Sequence, residues 1–334
     1  MSKHAAPLPS VTDPCDLHAP QDRRSFLRAV GGAALAGVVA SPLLGPLLAT
    51  AAPTNDSPAE KAVLRFYQTL TAPQKEAIVL PFEHELRKKI SANWHVTKPR
   101  IGEDFYTDEQ RKIIDEIVRN VTSPDGYERI KKQTEFDDGG LDGYSVAVFG
   151  TPGSGKFEWE LTGRHLTLRA DGNSVDKAAF GGPIIYGHGE ENPKQNLFLE
   201  QTHRVNQVFR ALDPKQAERA LVAKAPPEAA VELQGGAGKF PGVPVGDLSA
   251  DQKGLVEKTL KHLLSPYRAD DVDEVFALLK ANGGLDKLHL AFYQEGDLLE
   301  DKEWDIWRVE GPGFVWHFRG APHVHAYINI GAMA

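Results

Sequence analysis

The chain has 334 residues and is mildly acidic, since 46 Asp and Glu against 38 Lys and Arg give a formal net charge of −8. This balance, without a basic cluster, excludes nucleic acid as an expected partner. The single cysteine, Cys15, excludes an intramolecular disulfide framework.

The first 51 residues have the pattern of a twin-arginine signal peptide. Arg23 and Arg24 precede Phe-Leu and a third arginine, which is the signature of the twin-arginine translocon. An apolar run over residues 29–48 follows, and residues 49–51 (Ala-Thr-Ala) form a cleavage pattern. The run is nearly as long as a membrane span of about 20 residues, but glycines and prolines interrupt it. We therefore predict cleavage, no stable membrane anchor, and a periplasmic or secreted protein whose export partner is the translocon.

The mature protein is expected to be one domain over residues 52–334. Removal of residues 1–51 takes away Cys15, four basic and three acidic residues, so the net charge changes from −8 to −9. The remaining 283 residues suit a single large domain. Because no thiolate remains, a metal ion would have to be bound by His, Asp, Glu, Tyr or backbone groups.

Helix signals come first in this domain. Ser57-Pro58-Ala59-Glu60 has the form of a capping box and predicts a helix from Pro58. Further helices are predicted over residues 73–82, after Thr107, and from Pro124 to about Gln133. The pair Asp137-Asp138, which follows, is interpreted as part of a turn.

A meander of three strands is predicted next, over residues 144–148, 157–161 and 166–168, where apolar residues alternate with polar or small ones. Residues 150–156 (Gly-Thr-Pro-Gly-Ser-Gly-Lys) resemble a P-loop. However, Phe157 stands where magnesium binding needs a hydroxyl residue, and a strand pattern follows instead of a helix. The sequence therefore predicts a hairpin turn here.

The remaining segments complete an α+β pattern. Residues 181–193 are predicted to be a loop and residues 225–247 a long surface excursion. Helices are expected over 196–212, from Pro214, after Ser249 and over 270–279, and strands over 288–294, 304–310, 313–319 and 323–330. We expect both strand groups to form one antiparallel sheet flanked by helices in a single large domain.

The strongest candidate for chemistry is His323-Val324-His325. Residues two apart on a strand share a face, and paired neutral imidazoles suit zinc, copper or iron. The alternative is two histidines on a solvated face. If Leu166 faces the helices, His165 faces the other side, where it is expected to meet His323 and His325 to within about 5 Å.

Other residues are candidates to complete this site. Glu200 and His203 are three apart and share a helix face, as metal-binding pairs do, although an ordinary surface pair also fits. His188 lies between two glycines of the predicted loop.

The candidate catalytic residues are Arg164, Arg319 and Glu190. The two arginines are close in sequence to the proposed ligands and are suited to an anionic substrate, because guanidinium binds such groups in bidentate fashion. His317, beside Trp316, is expected to face water. The hypothesis is a metal-dependent enzyme acting on an unidentified small molecule, with zinc for hydrolysis, or copper or iron for redox chemistry.

A rival hypothesis is a non-catalytic periplasmic protein that binds sugars or peptides in an aromatic pocket. Its candidate residues are the tryptophans of the mature chain that lie on or beside predicted strands: Trp159, Trp304, Trp307 and Trp316. The alternative for these residues is a place in the core, where aromatic side chains are often buried.

Several of these segments together resemble a bacterial family known as domain of unknown function 3500. They are a Trp-containing strand leading to Gly-x-His-Leu (159–166), a Gly/Pro segment (180–183), a helix bearing Glu200, and the terminal His-x-His strand. Where the family pattern has two histidines before the leucine, Arg164 replaces the first. The resemblance implies export and draws attention to His165, His323 and His325, without implying a reaction.

Overall fold

A computed structural model of the protein describes residues 52–175, 177–297 and 300–333. The predicted signal peptide, residues 1–51, lies outside the described residues. No helix within the described ranges is both long enough and apolar enough to cross a membrane.

The described part of the chain contains eight α-helices and eleven strands. The helices are α1 (Pro58–Thr69), α2 (Ala72–Ile78), α3 (Asp108–Asn120), α4 (Pro124–Asp138), α5 (Leu199–Arg210), α6 (Pro214–Ala220), α7 (Ala250–Leu264) and α8 (Ala269–Ala281). The strands are β1 (Val79–Leu80), β2 (Ser145–Gly150), β3 (Phe157–Gly163), β4 (Leu166–Ala170), β5 (Ile184–His188), β6 (Leu221–Val222), β7 (Val243–Pro244), β8 (His289–Tyr293), β9 (Ile306–Gly311), β10 (Phe314–Arg319) and β11 (Val324–Ile330).

All eleven strands belong to one sheet, in the order β1-β2-β3-β4-β5-β11-β10-β9-β8-β6, with β7 also paired to β8. The β1–β2 and β6–β8 pairs are parallel and the other pairs are antiparallel. The predicted α+β domain with one mostly antiparallel sheet is thus confirmed. Within the meander β2–β4, Phe157 begins β3 and pairs with Gly150 at the end of β2, so residues 150–156 form a hairpin turn and not a P-loop.

The strand β5 joins the two predicted strand groups, because it pairs with β4 on one side and with β11 on the other. The prediction of a continuous loop over 181–193 is therefore wrong for residues 184–188. Pro183 and Gly187 suggested a loop, since both residue types are depleted in strands. Ile184, Ile185 and Tyr186 are nevertheless buried on both faces of the sheet, and this burial outweighs the unfavourable neighbours.

Most predicted helix starts are confirmed by their caps. Thr107 and Ser249 each form a complete capping box, with Gln110 and Gln252 respectively. Ser57 forms no side-chain cap, and its Oγ accepts the Thr54 N–H at 3.0 Å instead. Glu60, its expected partner in the capping box, binds the guanidinium of Arg268.

The helix α4 continues to Asp138, well beyond the predicted end near Gln133. It ends where Gly139 adopts a left-handed conformation with φ of 69°, a common helix terminator. Asp137 therefore lies in the last turn of a helix, which corrects its assignment to a loop turn.

The helices cover one face of the sheet. Leu166 and Leu168 of β4 pack in a core with residues of α1, α3 and α4, whereas Val324 and Ala326 of β11 pack in a second core with residues of α5, α7 and α8. Side chains alternate between faces along a strand, so the residues between these apolar ones are directed to the other face.

That other face is not exposed to solvent, because irregular segments cover it. Trp94 and Val96 pack on Ala147 and Phe149 of β2, and Val231 packs on the C-terminal strands. The segment 225–247 is therefore more than the predicted surface excursion, because part of it covers the sheet. We call this side of the sheet the loop-covered face.

The loop-covered face buries several ionisable side chains, which the sequence had not indicated. His317 was expected to face water, but it is fully buried, and its Nδ1 accepts a hydrogen bond of 3.3 Å from Arg308 Nε. Burial lowers the pKa of His317 to about 3. The prediction failed because it treated the face opposite Trp316 as solvated.

The burial of Glu160 on this face makes the folding stability depend on pH. Arg169 Nη2 lies 3.3 Å from Glu160 Oε1, but neither oxygen of Glu160 has a hydrogen-bond partner among the described residues. Burial raises the pKa of Glu160 from 4.5 to about 8. Folding therefore takes up a proton between these values, and this contribution to stability is lost as the pH rises from 4.5 to 8.

We expect Glu160→Gln to be more stable than the wild type at pH 9, by roughly 1–3 kcal/mol, because it removes a buried charge without a hydrogen bond. At pH 5, where the wild-type carboxyl is neutral, the two proteins should differ little. Urea unfolding at both pH values tests this, with Glu76→Gln on the exposed surface of α2 as the control. A difference that does not grow with pH would contradict it.

Candidate metal centre

Three histidines converge where strands begin or end. His165 lies in the turn between β3 and β4, His323 immediately precedes β11, and His325 is its second residue. One nitrogen of each ring lies within 4.8 Å of those of the other two, and the ring centroids are 4.7–5.2 Å apart. The predicted convergence is confirmed. Among the described residues, these three form the group with the geometry for metal binding.

His165 reaches this position from a strained turn. It has a φ of 57° and is not a strand residue, so the strand alternation that placed it in the sequence-based argument does not apply. His165 N donates to Ala92 O at 2.6 Å, Gln133 Nε2 donates to His165 O at 3.1 Å, and Tyr144 Oη donates to Arg164 O at 2.7 Å. These bonds stabilise a conformation that is uncommon outside glycine and typical of functional sites.

Two glycines provide the space for this arrangement. A Cβ on Gly163 would lie 2.2 Å from the ring of Tyr144, whose hydroxyl holds the turn. Gly187 is the cross-strand partner of His325, and a Cβ there would lie 3.1 Å from the Cβ of His165. Glycine at these positions therefore lets Tyr144 support the turn and lets His165 lie over β5.

Two carboxylates orient two of the imidazoles. Asp137 Oδ2 is 3.0 Å from His165 Nδ1, and Glu228 Oε2 is 2.7 Å from His325 Nδ1. An ionised carboxylate only accepts hydrogen bonds, so each Nδ1 carries a proton and Nε2 is the ring nitrogen left to bind an ion. The same pairing orients histidines that bind metals.

The third imidazole brings a ring nitrogen within hydrogen-bond distance of the second. His323 Nε2 is 3.0 Å from His325 Nε2 and 3.4 Å from Arg319 Nη2. Zinc–nitrogen bonds of 2.0–2.1 Å in tetrahedral geometry hold nitrogen atoms about 3.3 Å apart. The three ring nitrogens, which lie within 4.8 Å of one another, would therefore have to approach by up to about 1.5 Å to bind one ion. Burial, with the neighbouring His325 and Arg319, lowers the pKa of His323 to about 4. Burial also lowers the pKa of His325 although Glu228 opposes this, so both rings are neutral at pH 7.

His188 does not join the three histidines. It is the last residue of β5 and not part of a loop, and it is paired with Val324, whose side chain faces the helices. Directly paired residues share a face, so His188 is directed to the helical side, where its Nδ1 accepts the Leu197 N–H at 3.3 Å. The sequence-based assignment of His188 to the site is therefore corrected.

Glu200, His203 and Glu190 are also outside the group. Glu200 is half exposed on α5 and pairs with Arg204 at 3.0 Å and His262 at 3.3 Å, and His203 is exposed. Their spacing reflects an ordinary helix surface. Glu190 Oε1 accepts the Asn192 N–H at 2.7 Å and so stabilises the loop after β5.

The two arginines border the site in different ways. Arg319 is the cross-strand partner of His325, and its Nε lies 3.1 Å from Glu228 Oε1. Arg164 is exposed, and its Nη2 approaches Gly189, since a Cβ there would be 3.1 Å away.

Asp137 and Glu228 are the functional candidates that the sequence did not reveal. Asp137 was assigned to a turn, although Gly139-Gly140 after it could have indicated a helix end and thus a helical Asp137. Glu228 lies in an irregular segment without periodicity, so no sequence signal connects it with His325.

The tryptophans fill the core as the alternative interpretation predicts. Trp159, Trp307 and Trp316 are fully buried, and Trp304 packs on Phe209 with ring centroids 5.6 Å apart. The three buried rings cannot form the exposed platform that an aromatic binding pocket needs.

Comparison with known proteins identifies the family. A family model described as protein of unknown function (DUF3500) matches residues 53–328, a range that contains all three histidines. No curated protein and no solved structure shows a significant match. Because the matched range covers most of the 334 residues, the chain belongs to the DUF3500 family of proteins of unknown function.

Proposed function

We propose that the protein is an exported, metal-dependent enzyme that binds one divalent ion through His165, His323 and His325. The observation that carries this proposal is the convergence of three imidazole rings, two of them oriented by carboxylates. The 3.0 Å distance between His323 Nε2 and His325 Nε2 is that of a hydrogen bond, so one of the two nitrogens carries the proton between them. A metal ion would replace this proton, and deprotonated ring nitrogens are its natural ligands.

Zinc is the ion that best fits these donors. Three protein ligands with a fourth position for water are typical of catalytic zinc, whereas structural zinc sites use four protein ligands. His323 and His325 are partly exposed, which supports access by water and substrate. Bound zinc would lower the pKa of a coordinated water to about 7 and supply hydroxide for hydrolysis. Copper or iron at the same ligands would support redox chemistry.

The surrounding residues would maintain the ligands in one protonation state. Asp137 and Glu228 keep the proton on Nδ1 of His165 and His325, which leaves Nε2 free for the ion. Asp137 is itself fixed, because its Oδ1 accepts the Gly189 N–H at 2.8 Å. Glu228 is fixed by Arg319 at 3.1 Å.

Export in the folded state fits this proposal. The twin-arginine translocon predicted from residues 1–51 carries folded proteins, so the ion would be loaded in the cytoplasm before export. The mature enzyme would then act on a small molecule in the periplasm or outside the cell.

Asp137→Asn tests the proposal. An amide is a weaker acceptor than a carboxylate and no longer favours the Nδ1–H form as strongly. We expect zinc affinity to fall about 10–100-fold, and hydrolysis of 4-nitrophenyl acetate at limiting zinc to fall with it. Competition with a chromogenic chelator measures the affinity.

The neighbouring Asp138 provides a matched control, since it is exposed at the same helix end. Asp138→Asn should leave zinc affinity and esterase rate unchanged. Equal zinc affinity in the two variants would contradict the proposed role of Asp137.

A further inference from the structure

The two arginines beside the three histidines differ in what already balances their charge. Arg319 lies 3.1 Å from the carboxylate of Glu228 and 3.4 Å from His323 Nε2. Arg164 is exposed, and no carboxylate of the described residues lies within ion-pair distance of it. Asp137 Oδ1 lies at most 5.7 Å from Arg164 Nη2, since the Cβ position of Gly189 is 2.6 Å from the first and 3.1 Å from the second. Arg164 is thus the guanidinium at this site without an ion-pair partner among the described residues, and its N–H groups are available to a ligand.

The position of Gly189 limits the distance between Arg164 and the imidazoles. A point at the Cβ position of Gly189 lies 3.1 Å from Arg164 Nη2 and 3.5 Å from His165 Cε1. The two atoms are therefore no more than 6.6 Å apart, the sum of these distances. Since His165 Cε1 is bonded to Nε2, a small molecule is long enough to touch both the guanidinium and an ion at Nε2.

The charges at the site also favour an anion. The carboxylates of Asp137 and Glu228 contribute two negative charges, and Arg164 and Arg319 contribute two positive charges. A divalent ion would leave a net charge of about +2, which attracts anions. Guanidinium binds carboxylate and phosphate through paired, charge-assisted hydrogen bonds.

We propose that the substrate is a small organic anion, whose carboxylate or phosphate binds Arg164 while its reacting group lies at the metal. Arg319 is then a positioning residue, which holds Glu228 and, through it, His325. This inference rests on the proposed function, because it requires the ion at the three histidines. It assigns substrate recognition to one of two arginines that sequence alone treats as equivalent.

Calorimetric titration of zinc-loaded protein with three probes tests this assignment. Acetate offers one carboxylate to the metal. Succinate adds a second carboxylate, and 3-phosphonopropionate adds a phosphonate, both on the same short skeleton. We expect the wild type to bind at least one of the two longer probes about ten-fold or more tightly than acetate, the effect of a hydrogen-bonded charge pair. The tighter of these two probes identifies the anion that is preferred.

Arg164→Gln should abolish this preference while acetate affinity and zinc content stay unchanged, and Arg164→Lys should restore part of it. Arg219→Gln, which removes an exposed charge paired with Asp247, should retain the preference. A preference that survives in Arg164→Gln would overturn the inference and leave the metal proposal intact. Absence of zinc from the wild type would overturn both, so the two failures are distinguishable.

Discussion

Substitution of His165 by alanine is expected to reduce bound metal from a stoichiometric amount to a trace. Two imidazoles remain to bind the metal. Loss of an orienting partner lowers metal affinity about 10–100-fold, and loss of a direct ligand should lower it further. The fold should persist, because the hydrogen bonds of His165 to Ala92 and Gln133 use backbone atoms that alanine retains. Metal analysis of the purified variant, with circular dichroism of the same sample, measures both expectations.

Two further variants make this experiment decisive. His165→Asn introduces a residue that, like histidine, tolerates positive φ. This variant tests the ligand role if alanine destabilises the turn. His203→Ala removes an exposed histidine of α5 and should leave the metal content unchanged. If folded His165→Ala keeps its full metal content, the histidine is structural and the proposed site is wrong.

Replacement of Arg169 by methionine is expected to cost about 3–5 kcal/mol of folding free energy, the range for breaking a buried ion pair. The guanidinium is fully buried, where it binds Glu158 and lies 3.3 Å from Glu160. It also donates to Pro183 O at 2.7 Å and to Arg87 O at 2.8 Å. Methionine fills part of the volume of Arg169. Arg87 is then the cation that remains near the carboxyls of Glu158 and Glu160.

The loss should depend on pH with a definite sign. Burial raises the pKa of both Glu158 and Glu160, while Arg169 opposes this rise. Without Arg169 the two carboxyls need protons to remain buried, so the destabilisation should grow as the pH rises. Guanidinium chloride unfolding at pH 5 and pH 8 measures it. Arg219→Met, on the exposed surface, should cost less than about 1 kcal/mol, and an equally small, pH-independent cost for Arg169→Met would refute the account.

Local signals were sufficient to predict most of the fold. Thr107 and Ser249 marked helix starts because capping boxes satisfy backbone N–H groups within four residues. The alternation around Trp159 and Trp316 marked strands that are buried on both faces. Strand β5 was missed because its place in the sheet depends on β4 and β11, which are distant in sequence from one another.

The site was only partly predictable for the same reason. His323 and His325 are two residues apart, so local geometry brings them together. His165 was expected on the correct face through strand alternation, but its position comes from a turn that Gln133, Tyr144 and Ala92 stabilise. The partner carboxylates of Asp137 and Glu228 come from distant segments, and no periodicity links them to the histidines.

The errors among candidate ligands also have a physical origin. Glu200 and His203 share a helix spacing with metal-binding pairs, but the same spacing occurs on exposed helix surfaces, as it does on α5. His188 has a neighbouring glycine on each side, yet its pairing with Val324 directs it to the helical face. A short motif shows which of its residues share a face, but not whether that face is directed to the site.

The most direct test of the account is the metal content of the wild-type protein, purified without a histidine tag from cells supplied with zinc, copper and iron. Elemental analysis by plasma mass spectrometry should find close to one divalent ion per folded chain, zinc by our proposal, that a chelator removes and the same metal restores. Copper or iron in that amount would support the site and indicate redox chemistry instead of hydrolysis. A folded protein that carries only trace metal after all three supplements would contradict the central claim that His165, His323 and His325 form a metal centre.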